Sequence, residues 1–152
     1  MSKATKLTKK ESKHLDKNIL KNIKISNNSS SALDNSSSSM RVDYGKLYRN
    51  GGFKALGTTR EKYRKKTIAT SDKHNSTCRR SFNAAELDVD LHLKPNTVPE
   101  YPLRILHKTN KVDRKAVWKL ACDLAKGKHP TGKEVETAQI EFSSTPENQN
   151  ES

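Results

Sequence analysis

The segment from Asp113 to Phe142 constrains the fold most, because several independent local rules agree on it. Asp113 is a good helix N-cap, and Arg114 to Lys126 contains neither Gly nor Pro. Val117, Leu120, Ala121 and Leu124 form one apolar stripe at helical spacing, and Trp118, Cys122 and Ala125 form a second beside it. Lys115, Lys119 and Lys126 take the remaining face. Gly127 stands where a helix usually stops. After the turn Gly127-Lys128-His129-Pro130, Thr131 and Glu134 make a capping box for a second helix. Its inner face is Val135, Ala138, Gln139 and Phe142. The pattern predicts a helical hairpin or helix-turn-helix at about 113–143. Burying Trp118, Leu120, Leu124 and Phe142 contributes about 1.5–3 kcal/mol each, too little for two helices alone. Leu103, Ile105 and Leu106 of PLRILHK are therefore expected to cover the pair.

Composition limits the rest of the chain. Of 152 residues, 31% are apolar and 5% aromatic, and the formal net charge is +13. Ordering the backbone costs about 1–2 kcal/mol per residue, which so few apolar side chains cannot offset along the whole length. The expected fold class is a mostly disordered chain carrying a small α or α+β module. No window approaches the roughly 18 apolar residues that a membrane span requires. Two cysteines, Cys78 and Cys122, and no apolar run after the N-terminus argue against a disulfide-stapled secreted domain. The expected location is intracellular, either the nucleus or nucleoid-associated cytoplasm, and the sequence does not decide between them.

The charge is blocked rather than uniform. Residues 1–24 hold eight Lys against Glu11 and Asp16. There Leu15, Ile19, Leu20 and Ile23 have helical spacing, but the reading preferred is a basic, solvated arm with nascent helicity. The block has an organelle-leader flavour too, although such leaders favour Arg and this one has only Lys. Residues 25–40 are a Ser/Asn linker, 11 of 16 being Ser or Asn. A boundary follows at Met40. Residues 41–82 form a basic region with 12 Lys+Arg against three acids. In it, DYGKLYRNGGFKALG (43–57) reads as a hairpin or tight turn around Asn50-Gly51-Gly52, with a weakly ordered loop as the alternative. Tyr44, Tyr48 and Phe53 would cluster or stack on bases. Thr58 and Glu61 read as a capping box opening a helix through TREKYRKKTIA, a poor core element with cations on nearly every face. AELDVDLHLK alternates Leu87, Val89, Leu91 and Leu93 with Glu86, Asp88, Asp90 and His92, which predicts a strand at about 86–94. Residues 83–143 would be the small folded module, and 144–152 a disordered acidic tail.

The stretch RILHKTNKVDRKAVWKLACDLAKGKHPTGKEVETA resembles a helical segment of plasmid-partition (ParB-related) DNA-binding proteins. The matching residues are Val117, Trp118, Ala121, Ala125, Gly127, Lys128, Pro130, Thr131, Val135 and Ala138. The resemblance spans about 35 of 152 residues and implies a DNA-binding role in plasmid maintenance or gene control. No nuclease-like partition motif lies upstream. On physical grounds Glu134, Glu136 and Glu141 suit a groove-reading helix poorly, because acids repel phosphates.

No catalytic constellation is present. There is no Gly-rich phosphate loop and no nucleophile elbow. His74 and Cys78 have a ligand-like spacing, but Cys122 and His129 lie far along the chain and Cys122 falls on an apolar stripe. Cys122 reads as a small core residue and Cys78 as a loop thiol. Asp88 and Asp90 read as a solvated face. The chain is thus read as a non-enzyme needing no cofactor, metal, small-molecule substrate or membrane. Its leading reading is a nucleic-acid-binding protein, DNA favoured over RNA, since a large basic surface attracts polyanions and releases their counterions. Phosphate contact is assigned to Arg60, Lys62, Arg64, Lys65, Lys66, Arg79 and Arg80, to Lys115 and Lys119, and to Lys128, Thr131 and Lys133 at a helix N-terminus. The alternatives are an RNA-binding or ribosome-associated factor, and a protein adaptor docking by strand addition or a short amphipathic helix.

Overall fold

The computed structural model describes residues 6–28, 33–71 and 74–144, and all regular structure among them is helical. The helices are α1 (Lys9–Asn28), α2 (Leu33–Arg49), α3 (Gly52–Ala55), α4 (Arg60–Thr70), α5 (Asn75–Asp90), α6 (Glu100–Leu106), α7 (Arg114–Leu124) and α8 (Gly132–Ser144). The chain divides into two units, Met1–Asn96 and Thr97–Ser152. No described helix is long and apolar enough to cross a membrane.

In the first unit, α1 begins at a capping box. The Thr8 N–H donates to Glu11 Oε1 (3.0 Å) and the Glu11 N–H to Thr8 Oγ1 (3.1 Å). Leu15, Ile19 and Ile23 recur at helical spacing and are buried. They join Met40, Tyr44 and Leu47 of α2 and Phe82 and Ala85 of α5 in one core. The Leu7 N–H donates to the Asn50 carbonyl at 3.0 Å, so the start of α1 meets the end of α2 and the two helices run antiparallel. Tyr44 stacks on Phe82 at 4.1 Å between ring centroids, and Phe53 and Tyr63 tilt against Tyr44.

The expectation of a mostly disordered chain fails here, and the reason is physical. Apolar content understates what this unit buries. Arg41, Glu86, Asp88, Ser12, Ser36, Thr67 and Ser81 are interior residues as well. Residues 9–24 of the basic arm belong to α1, and residues 1–5 lie outside the described chain. The Ser/Asn linker supplies the end of α1 and the start of α2, with residues 29–32 outside the described chain. A boundary at Met40 falls within α2, since Ser36, Met40, Tyr44 and Leu47 continue one buried helical stripe. The hairpin at 43–57 is absent. Gly51 does adopt a positive φ (71°), but it turns α2 into α3. Gly52 must stay a glycine, because a Cβ there would lie 2.9 Å from the Leu47 Cα.

The strand at 86–94 is also overturned, since 75–90 is α5. The alternation misled because Glu86 and Asp88 are not a solvated face; both are buried and ion-paired. Leu91 and Leu93 belong to the helix stop. The His92 N–H donates to the Val89 carbonyl and the Leu93 N–H to the Asp88 carbonyl, with His92 left-handed at φ 56°. The α4 helix does form, capped one residue later than expected, with the Lys62 N–H on Thr59 Oγ1 at 3.2 Å. It is also a core element, burying Tyr63, Thr67 and Ile68.

The second unit follows the local rules in its helices and caps, but of the four residues expected to be buried only Trp118 is; Leu120 and Phe142 are half-buried and Leu124 is exposed. α7 and α8 pack together, and α6 covers α8 through its buried Leu103, Ile105 and Leu106. The capping box of α8 forms, with the Thr131 N–H on Glu134 Oε1 at 2.9 Å. Lys126 and Gly127 both take positive φ beyond the end of α7. Asp113 precedes α7 in a single 3-10 turn and makes no side-chain cap bond. The expected acidic tail beyond Ser144 lies outside the described residues.

Candidate nucleic-acid interface

The positive charge belongs almost entirely to the first unit. Residues 1–96 hold 21 Lys+Arg against nine Asp+Glu, whereas 97–152 hold nine against eight. Two kinds of cation must then be told apart, those turned inward and those left in water.

Arg41, Arg60 and Arg64 are turned inward, whereas Arg49, Arg79 and Arg80 stay exposed. Arg41 meets Asp88 through Nε (2.8 Å) and Nη2 (2.7 Å), both side chains about 5% exposed. Arg60 grips Glu86 through Nε (2.7 Å) and Nη2 (2.6 Å). Arg64 reaches Glu86 at 3.1 Å and Asn83 Oδ1 at 2.7 Å, with its guanidinium 5.8 Å from the Phe82 ring centroid. The Tyr44 hydroxyl also donates to Glu86, at 2.6 Å. Burial and the adjacent carboxylate push the Tyr44 phenol far above its ordinary value, so it stays a donor. The hydrogen bond and charge of Glu86 hold Arg60 above its own. Of the assigned phosphate contacts, Arg60 and Arg64 are therefore braces for a buried acid.

The acids are occupied in the same way. Asp16 accepts from the Tyr63 hydroxyl (2.8 Å) and Asp90 from the Tyr48 hydroxyl (2.9 Å). Glu11 is spent on the α1 cap, and Glu61 on Arg60. Asp43 is half-buried, and burial raises its carboxyl above the ordinary range against the opposing pull of Lys46 and His14. Six of these seven described acids of the first unit accept hydrogen bonds from Tyr, Arg or backbone groups, and the lysines of α1 and α4 enter none of the ion pairs.

The uncompensated lysines are ordered. Lys10, Lys13, Lys17, Lys21 and Lys24 are all exposed on α1. At about 100° per residue they fall within an arc of about 80°, opposite Leu15, Ile19 and Ile23. At about 1.5 Å rise per residue, the ridge runs about 21 Å. Their signal was in the sequence: the period that places three apolar residues inside places five lysines outside. Lys62, Lys65 and Lys66 lie exposed on the side of α4 away from Tyr63 and Thr67, and Arg79 and Arg80 are exposed on α5.

In the second unit Lys115 and Lys119 are exposed one turn apart on α7, and Lys128 and Lys133 are exposed in the turn and at the start of α8. Thr131 differs from expectation. Its hydroxyl donates to Glu134 Oε1 at 3.0 Å, so a carboxylate already stands at the N-terminus of α8 where a phosphate was assigned. Among the described residues no group of three or more His, Cys, Asp or Glu side chains is placed to hold a metal.

Set against known protein families, curated proteins and solved structures, the chain matches none.

Proposed function

We propose that this protein binds nucleic acid, DNA in preference to RNA, through the lysine ridge of α1 and the exposed cations of α4 and α5. The observation that carries the reading is the sorting of charge. Asp88 and Glu86 satisfy Arg41, Arg60 and Arg64 inside the first unit, and among the described residues the exposed lysines of α1 and α4 enter none of its ion pairs. A surface of this kind attracts a polyanion from about 8 Å away at physiological salt and gains free energy by releasing condensed counterions. Five lysines in one line address phosphates and offer no base-reading geometry, so the ridge recognises backbone rather than sequence. Lys115, Lys119, Lys128 and Lys133 of the second unit serve orientation, in keeping with the partition-protein resemblance of that segment.

The test is fluorescence anisotropy with a labelled DNA duplex at rising salt. If about five phosphates are neutralised, log K falls with log salt at a slope near −4.5. Lys17→Glu/Lys21→Glu should weaken binding and flatten the slope without changing the helical content. Absence of binding at low salt refutes the reading, and preferential displacement by structured RNA transfers it to RNA.

A further inference from the structure

The first unit has a cleft that the nucleic-acid reading does not use. It lies between α2 and α5, with the 91–96 segment as a wall, and encloses about 540 Å³. That falls within the about 300–1,000 Å³ typical of small-ligand sites. Its apolar lining is Val42, Ala85, Val89, Leu93 and Pro95, with Gly45 facing Ala85. Lys46, Arg49 and His92 are exposed around the same space. The one acid in the lining, Asp88, is already neutralised by Arg41. The cleft therefore joins an apolar body to a cationic rim.

The wall is held in place by part-buried polar bonds to the buried Arg41–Asp88 pair. The Asn96 N–H donates to Asp88 Oδ2 (3.2 Å), and Arg41 Nη1 donates to Asn96 Oδ1 (3.3 Å). His92 and Asn96 both sit in the left-handed region, at φ 56° and 57°. Such positions persist when surrounding bonds over-determine them, and they cluster at ligand sites. A desolvated ion pair is a costly way to fix a surface loop, and what it fixes here is the shape of the cleft.

We propose that this cleft binds a small amphipathic anion, a carboxylate on an apolar chain. The carboxylate would meet Lys46, Arg49 and His92, and the chain would lie on Val42, Val89 and Leu93. The proposal stands apart from nucleic-acid binding, since none of the α1 lysines lines this space.

Decanoate is the probe, titrated into the full chain by calorimetry and by amide NMR. One decanoate should bind saturably, moving the Gly45, Val89 and Leu93 resonances. Uncharged decanol should bind at least about tenfold more weakly, because the charge-assisted contacts are lost. Lys46→Ala/Arg49→Ala, at exposed positions that leave the core intact, should weaken decanoate by about tenfold or more. Val89→Trp should block it, with circular dichroism confirming the helices. Lys17→Glu/Lys21→Glu should leave it unchanged. Unsaturable binding, equal binding of decanol, or equal loss in the α1 variant would overturn the proposal.

Discussion

Replacing Asp88 with alanine tests whether Arg41 is a structural residue. The Arg41 and Asp88 side chains are 5% and 4% exposed, and they share two hydrogen bonds of 2.8 and 2.7 Å. Asp88 also accepts the Asn96 N–H. Removing the carboxylate strands a guanidinium that water barely reaches. Breaking one partner of such a pair costs about 3–5 kcal/mol. Total domain stability is about 5–15 kcal/mol, so much of the margin disappears. At about 4–8 °C per kcal/mol, the melting temperature of the first unit falls by about 12 °C or more. The double replacement Arg41→Leu/Asp88→Leu removes both charges and should recover to within about 1 kcal/mol of the parent, or exceed it. Urea unfolding followed by far-UV circular dichroism measures all three variants. Selective excitation of Trp118 reports the second unit separately. A single replacement costing under about 1 kcal/mol, the cost of an exposed pair, would refute the buried geometry. So would a double variant as weak as the single.

Gly132→Ala should destabilise the second unit by about 1–3 kcal/mol through overpacking. Its Cβ would stand 2.8 Å from Ile105 Cδ1 and 2.9 Å from Tyr101 Cδ2, and Trp118 fluorescence in urea would show the shift. Cys78 is buried and its thiol is pushed up to about 11, so at neutral pH iodoacetamide should label Cys122 first. Mass spectrometry of timed samples decides this, and early labelling of Cys78 contradicts its burial. The bonds from Thr8 hold the Glu11 carboxyl below its ordinary range. Its contribution to stability is therefore complete above the unfolded pKa and fades as pH falls through the folded one. Glu11→Gln should flatten that part of the acid melting profile, as thermal scans at stepped pH will show.

What the sequence determined by itself is local. Caps, glycine stops and the 3.6-residue period act between residues a few positions apart, so Thr131 with Glu134, Gly127, the buried Val117, Trp118 and Ala121 of α7 and the covering role of Leu103–Leu106 were legible without coordinates. The same period was present in α1, but a low apolar content suppressed it. Only the tertiary structure decided which charges are interior. Arg41 and Asp88 are 47 residues apart, Tyr44 and Glu86 are 42 apart, and Arg60 and Glu86 are 26 apart. An acid in a sequence is read as solvated until its cation is known, and no local rule names a partner at that distance. That is why AELDVDLHLK read as a strand with a wet face and folded as a helix with a charged interior. It is also why Arg60 and Arg64 could not be told from Lys62, Lys65 and Lys66. A guanidinium with fixed, forked donors is worth burying against a carboxylate, whereas a strongly hydrated ammonium is better left in water.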